Sequence, residues 1–328
     1  MNRLFLSLLT ITLMVGCSQN MVYHSFDGFA LGTTFHMVYQ TPQQENLEKP
    51  IKTLLKDFEK SLSLYDSTSL LCRSNSGQKV HLDKWFIRCM KLSEEVYSKT
   101  NGLYDPTLGA IIRAWGFSAG KATRSLSQKQ IDSMKPLIGF NKVRLMGDTL
   151  VKENAATTLD FNALAKGYMV DLVSKLIEDH KIENYLVEIG GEIFARGVNA
   201  KGTKWRVGID TPEDGNMVPG EKMLTTIELS SRAMATSGNY RKFHLDENGN
   251  KISHTIDPRT ARPARSNLLS ATIIAPTCAL ADGYATACMV GGLEWSIAFV
   301  ERNSDVAGYF IYSDGNEMKS YESSNLRL

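Results

Sequence analysis

The sequence predicts an α+β fold: a single domain with antiparallel sheets and helices in separate blocks. Three observations predict it. Strand-like runs come as adjacent pairs around glycine turns: Asn184 to Arg196 is divided by Gly190-Gly191, and Lys142 to Lys152 by Gly147-Asp148. Helix-like runs such as Asn46 to Leu62 and Lys84 to Thr100 stand apart from these pairs and do not alternate with single strands. No repeat, low-complexity tract or Pro/Ser-rich linker divides the chain.

Taken in order, Phe29 to Tyr39 alternates like a strand and is entered through a turn at Gly32. Asn46 to Leu62 spaces Leu47, Ile51, Leu54, Leu55, Phe58 and Leu62 as one face of a helix. Lys84 to Thr100 does the same with Phe86, Ile87, Met90, Leu92, Val96 and Tyr97, and Asn101-Gly102 stops it. Short helices are expected at Leu108 to Trp115 and Gln128 to Leu137. A strand at Thr158 to Asn162 should feed a long helix from Ala163 to Asp179. Gly190-Gly191 reads as a β-bulge inside its strand pair. Further strands are expected at Trp205 to Asp210, Met223 to Leu229 and Ser270 to Ala275. Helices should run from Ala279 to Val290 and Trp295 to Arg302, followed by a strand at Val306 to Ser313 that turns back through Asp314-Gly315.

The N-terminus reads as targeting rather than fold. Asn2-Arg3 precedes an apolar run, Leu4 to Val15, too short for a comfortable membrane span, which ends in Gly16-Cys17. This resembles the lipobox of bacterial lipoproteins. It predicts a signal peptide at 1–16, lipidation of Cys17, a tether at 17–25 and a domain at 26–328 held on the extracytoplasmic side of a bacterial membrane. With 43% hydrophobic and 22% charged residues the rest describes an ordinary globular core, and a net charge of +2 argues against nucleic acid as a partner. Cys72, Cys89, Cys278 and Cys288 form no C-x-x-C pair, so they read as buried thiols rather than a zinc site.

Chemistry concentrates near the C-terminus. If Ala279 to Val290 is helical, Asp282 and Thr286 lie one turn apart on one face, and two hard oxygen donors so placed suit Mg²⁺. His254, three residues before Asp257-Pro258, titrates near neutral pH and is the candidate base, with Asp257 to orient it. Lys166-Gly167 at a strand-to-helix junction suits a phosphate contact. Ala235 through Tyr240, with Thr236, Ser237 and Gly238 at its centre, reads as a small-polar turn whose hydroxyls and N–H groups suit the same ligand, and Tyr65 can stack on a flat ring. Each is common in isolation.

Their order carries more. Leu31-Gly32-Thr33, Ser63-Leu64-Tyr65-Asp66, Asn101 through Thr107, Arg113 through Phe117, Asp160 through Asp171, Gly190-Gly191, Thr236 through Tyr240, His254 through Pro258 and Ala281 through Thr286 follow one another behind the lipobox. The sequence thereby resembles the FAD:protein FMN transferase family over nearly all of the predicted domain. The resemblance implies a T-fold-like domain that binds FAD and Mg²⁺. It would transfer the FMN half to a Thr or Ser hydroxyl of an acceptor protein, an electron-transfer subunit, and release AMP. It implies metal ligation by the Asp282 carboxylate, the Thr286 hydroxyl and the Ala163 carbonyl. FAD contacts are implied at Leu31, Tyr65, Leu103, Tyr104, Asp105, Lys166, Ile256 and the surroundings of His254. Two departures stand out: Ala261-Arg262-Pro263 occupies the place of the family's Thr-Gly-x-Pro, and Asn162-Ala163 the place of two small residues. The same site would serve an FAD pyrophosphatase, and bound FAD without turnover would make the chain a flavin-binding lipoprotein.

Overall fold

The computed structural model describes residues 20–117, 125–213, 216, 220–240, 243–245 and 251–326. Cys17 and the expected signal peptide lie outside the described residues. The hairpin β1 (Met21–Ala30) and β2 (Thr33–Pro42) is followed by helices α1 (Glu48–Leu62), α2 (Leu70–Asn75), α3 (Lys84–Lys99), α4 (Gly109–Ala114) and α5 (Gln128–Met134). Next come β3 (Val143–Met146), β4 (Thr149–Lys152), α6 (Ala165–Asp179), β5 (Tyr185–Ile189), β6 (Glu192–Arg196), β7 (Trp205–Asp210), β8 (Met223–Leu229) and β9 (Arg232–Gly238). Short strands β10 (Phe243–Leu245), β11 (Lys251–Ser253), β12 (Ile256–Asp257) and β13 (Arg262–Pro263) lead to β14 (Leu268–Ala275), α7 (Cys278–Glu301), β15 (Ala307–Asp314) and β16 (Glu317–Glu322).

Eight strands form one sheet in the order β1-β2-β5-β6-β9-β14-β15-β16, with every neighbouring pair antiparallel. Alternation decides which face each side chain takes: Phe35, Met37 and Tyr39 of β2 point to the helical side. There they meet Phe58 of α1, Val96 of α3, Val170 and Val173 of α6, and Tyr284 of α7. The ribbon β7–β8 covers the opposite face, laying Trp205, Val207, Ile227 and Leu229 on Ile193, Met234 and Ile311. A third cluster joins Leu108, Ile111, Trp115, Ile131, Ile256 and Ala261. This is the α+β arrangement the sequence predicts. No described helix is long and apolar enough to cross a membrane. Among the described residues all four cysteines are free, three of them buried and Cys72 half-buried.

Several local expectations change. Met21 to Ser25, expected in the tether, belong to β1, which pairs with β2 as far as Pro42. Thr158 to Asn162 makes one bridge, Thr158 to Leu108, and no strand. The side chain of Asn75 takes both backbone groups of Leu159, at 2.8 Å each, and Asn162 N–H turns back to the Asp160 carboxylate, so α6 starts at Ala165. Gly190 and Gly191 form no bulge. They are the two-residue turn of the β5–β6 hairpin, with φ of 65° and 96° and Ile189 paired to Glu192, a shape that glycine adopts at least cost. Thr236-Ser237-Gly238 is the end of β9, paired to Ser270–Thr272 of β14, rather than a turn. The two C-terminal helices are halves of α7, broken at Gly292.

Candidate functional site

Helix α7 is buried along most of its length, so a carboxylate on it must be compensated. Asp282, one turn in, is 3% exposed. Its compensation comes from α6, which meets α7 backbone to backbone. Gly167 N–H donates to Asp282 Oδ2 at 3.1 Å. In return the Asp171 carboxylate accepts from the N–H groups of Cys278 and Ala279, at 2.7 and 2.9 Å, satisfying donors that the first turn of α7 leaves open. The contact requires glycine: a Cβ on Gly167 would stand 2.3 Å from the carbonyl oxygen of Cys278.

That docking sets the position of Lys166. Its ammonium lies 2.6 Å from Oε1 of Glu192, the first residue of β6, and 3.8 Å from Asp282 Oδ2. Burial raises the pKa of both Asp282 and Glu192, while Lys166 pulls each back. Burial also works against the Lys166 ammonium, but the Asp282 and Glu192 carboxylates outweigh it and raise its pKa. One ammonium faces two carboxyl groups, and burial pushes Glu192 up to about 8, so the cluster gains a net negative charge only as Glu192 ionises. Among the described residues Glu192 Oε2 is buried without a hydrogen-bond partner.

Thr286 follows Asp282 by one turn of α7, and Ser237 Oγ of β9 lies 3.4 Å from its hydroxyl. Ala163 sits in the turn leading into α6, four residues before Gly167. Carboxylate, hydroxyl and carbonyl are all hard oxygens, a donor chemistry that fits Mg²⁺. No group of three His, Cys, Asp or Glu side chains able to hold a metal gathers among the described residues, and this donor set, with a single carboxylate, is not such a group. Gly283 leaves no room for a ligand or water: its missing Cβ would lie 2.8 Å from Val96 Cγ1, so α3 fills that space.

His254 lies beside a segment bonded to the strand end that carries Ser237. Thr255 Oγ1 donates to Asn239 Oδ1 at 3.1 Å, and Asn239 lies two residues after Ser237. The His254 ring packs edge-on near Phe117, with centroids 6.3 Å apart. Asp257 departs from its expected role. Both of its oxygens accept from Arg259, whose backbone N–H, Nε and Nη2 approach to 2.8–3.2 Å, so its carboxylate shapes the turn after β12. Ile256 is buried in the third cluster. In the same turn Ala261 takes φ 57°, the conformation a glycine would adopt, and its carbonyl accepts from Trp115 Nε1 at 3.0 Å.

The remaining expected contacts vary. Leu31, at φ 53°, donates its N–H to Glu59 Oε1 at 2.7 Å. Tyr65 is 64% exposed. Leu103 is buried, Tyr104 bonds Ser93 Oγ, and Asp105 accepts from Thr107 and from Phe140 N–H, so all three side chains are engaged within the fold. Thr236 is tied to Thr272 at 2.8 Å, and the ring of Tyr240 lies against Gly238. Sequence reasoning missed the roles of Glu192 and Asp171. Both are acidic residues in otherwise apolar surroundings, the one signal that separated them from surface carboxylates.

The family model described as the ApbE family matches residues 31–310. Among curated relatives, a protein of Vibrio cholerae serotype O1 named FAD:protein FMN transferase is 30% identical over 335 residues, covering 100% of this chain and 98% of its own. A Haemophilus influenzae protein of the same name is 31% identical over 326 residues, covering 95% and 92%. Among solved structures, the flavin transferase ApbE from Vibrio cholerae superposes with a TM-score of 0.82 at 30% identity, covering 93% of this chain and 98% of that one.

Proposed function

The chain belongs to the ApbE family, and we propose that it performs the flavin transfer its relatives are named for as a Mg²⁺-dependent reaction on a Thr or Ser hydroxyl. The acceptor oxygen attacks the FMN-side phosphorus of FAD, the bond from that phosphorus to the oxygen of the AMP half breaks, and AMP leaves with the bonding pair. The hydroxyl proton passes to His254. Asp282, Thr286 and the Ala163 carbonyl would hold the metal, which when bound supplies positive charge to the diphosphate oxygens. Lys166, kept charged by two carboxylates, adds a fixed cation beside them. Asp257 and Arg259 keep the turn after His254 in shape.

The observation that carries this reading is the buried Lys166–Glu192–Asp282 cluster, with Thr286 one turn of α7 beyond Asp282 and its hydroxyl 3.4 Å from Ser237 Oγ of β9. A buried carboxylate is costly to ionise unless cations join it. The test is mass spectrometry of an acceptor protein after incubation with FAD, with and without Mg²⁺. A covalent FMN adduct formed only with Mg²⁺ is expected. Free FMN and AMP without an adduct would make the protein a pyrophosphatase, and bound, unchanged FAD a flavin carrier. Asp282→Ala removes the only formal charge among the proposed ligands and should abolish Mg²⁺-dependent turnover, while Thr286→Ala weakens it. His254→Ala should slow transfer by about 10²–10⁴-fold, the range of general-base catalysis, with FAD binding retained; undiminished transfer removes His254 from the mechanism.

The lipobox supports a location for the reaction: a lipid on Cys17 holds the domain at the extracytoplasmic membrane face, beside electron-transfer acceptors. Cys17→Ser should move the protein from the membrane to the soluble fraction. Fractionation unchanged by the substitution would remove the anchor from this reading.

A further inference from the structure

Lys166 faces a choice between two buried carboxylates, and its position records the outcome: 2.6 Å from Glu192 Oε1 against 3.8 Å from Asp282 Oδ2. An ammonium in contact with Asp282 would neutralise the only charged ligand proposed for the metal, and a cation would have to displace it. We propose that Glu192 is a positioning residue that holds the Lys166 ammonium off Asp282 and so keeps that carboxylate available for Mg²⁺. The inference rests on the metal reading of Asp282.

The surroundings of Glu192 suit that role. It directly follows the two-residue Gly190-Gly191 turn and pairs with Ile189, so its backbone is fixed by the hairpin. Its side chain is 5% exposed, which strengthens an ion pair relative to one in water. Its second oxygen has no other partner among the described residues, so no competing donor draws the carboxylate away from Lys166. Lys166 is anchored one residue before Gly167, whose N–H holds Asp282. From this one backbone position the ammonium lies within 4 Å of both carboxylates, nearer to Glu192.

The test measures Mg²⁺ binding to the full-length protein without FAD, by calorimetry, with Mn²⁺ electron paramagnetic resonance as a second probe. Glu192→Gln keeps the shape and removes the charge. It should weaken Mg²⁺ binding by about 10–100-fold, the usual effect of losing an outer-sphere partner of a metal site. Lys166→Gln should bind Mg²⁺ at least as tightly as wild type, because the competing ammonium is gone. The double variant should recover most of the affinity that Glu192→Gln loses, a non-additivity that a merely structural Glu192 would not produce. A double variant as weak as Glu192→Gln, or a Glu192→Gln protein that binds like wild type, overturns the inference while leaving the metal site standing if Asp282→Ala still abolishes binding. Wild-type binding that survives Asp282→Ala overturns both.

Discussion

Gly167→Ala tests the contact on which the whole centre depends. The new methyl would lie 2.3 Å from the Cys278 carbonyl oxygen, 2.6 Å from its carbon and 2.9 Å from Ala279 N. All three are backbone atoms, so no side chain can rotate away. A carbon and an oxygen come to rest no closer than roughly 3.3 Å, so α6 and α7 must separate by about 1 Å. Overpacking of this kind costs about 1–3 kcal/mol. The same shift stretches the 3.1 Å bond from Gly167 N–H to Asp282 beyond hydrogen-bond range, at about 1.5–3 kcal/mol for a charged acceptor. Against this, alanine is the better helix former by about 1 kcal/mol. Strain wins, and the variant should be destabilised by about 2–4 kcal/mol, the two penalties overlapping because one movement relieves both. Urea unfolding with an unchanged m-value measures it, and calorimetry should show weakened Mg²⁺ binding as Asp282 loses its donor. A variant as stable as wild type would falsify the backbone-to-backbone docking, because helix propensity would then have decided the sign.

Two further perturbations separate local causes. Burial raises the Asp171 carboxyl to about 7, against the pull of the Ala279 and Cys278 N–H groups. An unfolded Asp titrates near 3.9, so between these values the folded state holds the extra proton and stability falls as pH rises from about 4 to about 7. Asp171→Asn should remove that slope while losing one of the two N–H bonds to α7; parallel stability curves for the two proteins from pH 4 to 8 would remove Asp171 as its source. Ala261→Gly relieves a left-handed alanine, worth about 1–2 kcal/mol, but loses about 0.5–1 kcal/mol to the entropy of the unfolded chain and gives up a buried methyl. The terms nearly cancel, so stability should stay within about 1 kcal/mol of wild type; a larger change in thermal unfolding would show that this turn is not held as drawn.

Wherever periodicity alone decides structure, the sequence was legible. Trp205–Asp210 and Met223–Leu229 form strands at the predicted bounds, and α1, α3 and the Gly147-Asp148 hairpin fall within two residues of expectation. The i,i+4 spacing of Asp282 and Thr286 needed only a helix, which α7 provides. The ordered motifs were enough to indicate the family. Local signals failed where a distant partner intervened. Thr158 to Asn162 looks like a strand, but Asn75, far away in the chain, occupies the hydrogen bonds a neighbouring strand would need. Thr236 to Gly238 looks like a turn, but β14 takes up its backbone. Asp257 looked like a partner for His254 until Arg259 claimed both of its oxygens. The space beside Gly283, on the helix that carries Asp282, is taken by Val96 of α3. Glu192 illustrates the limit most plainly. In the sequence it is one strand residue after two glycines, and only the packing of α6 on β6 brings Lys166 within 2.6 Å of it. Spacing along a chain determines which side chains share a face of one element, whereas the charge balance of a buried site depends on which elements pack together, and that only the tertiary structure decides.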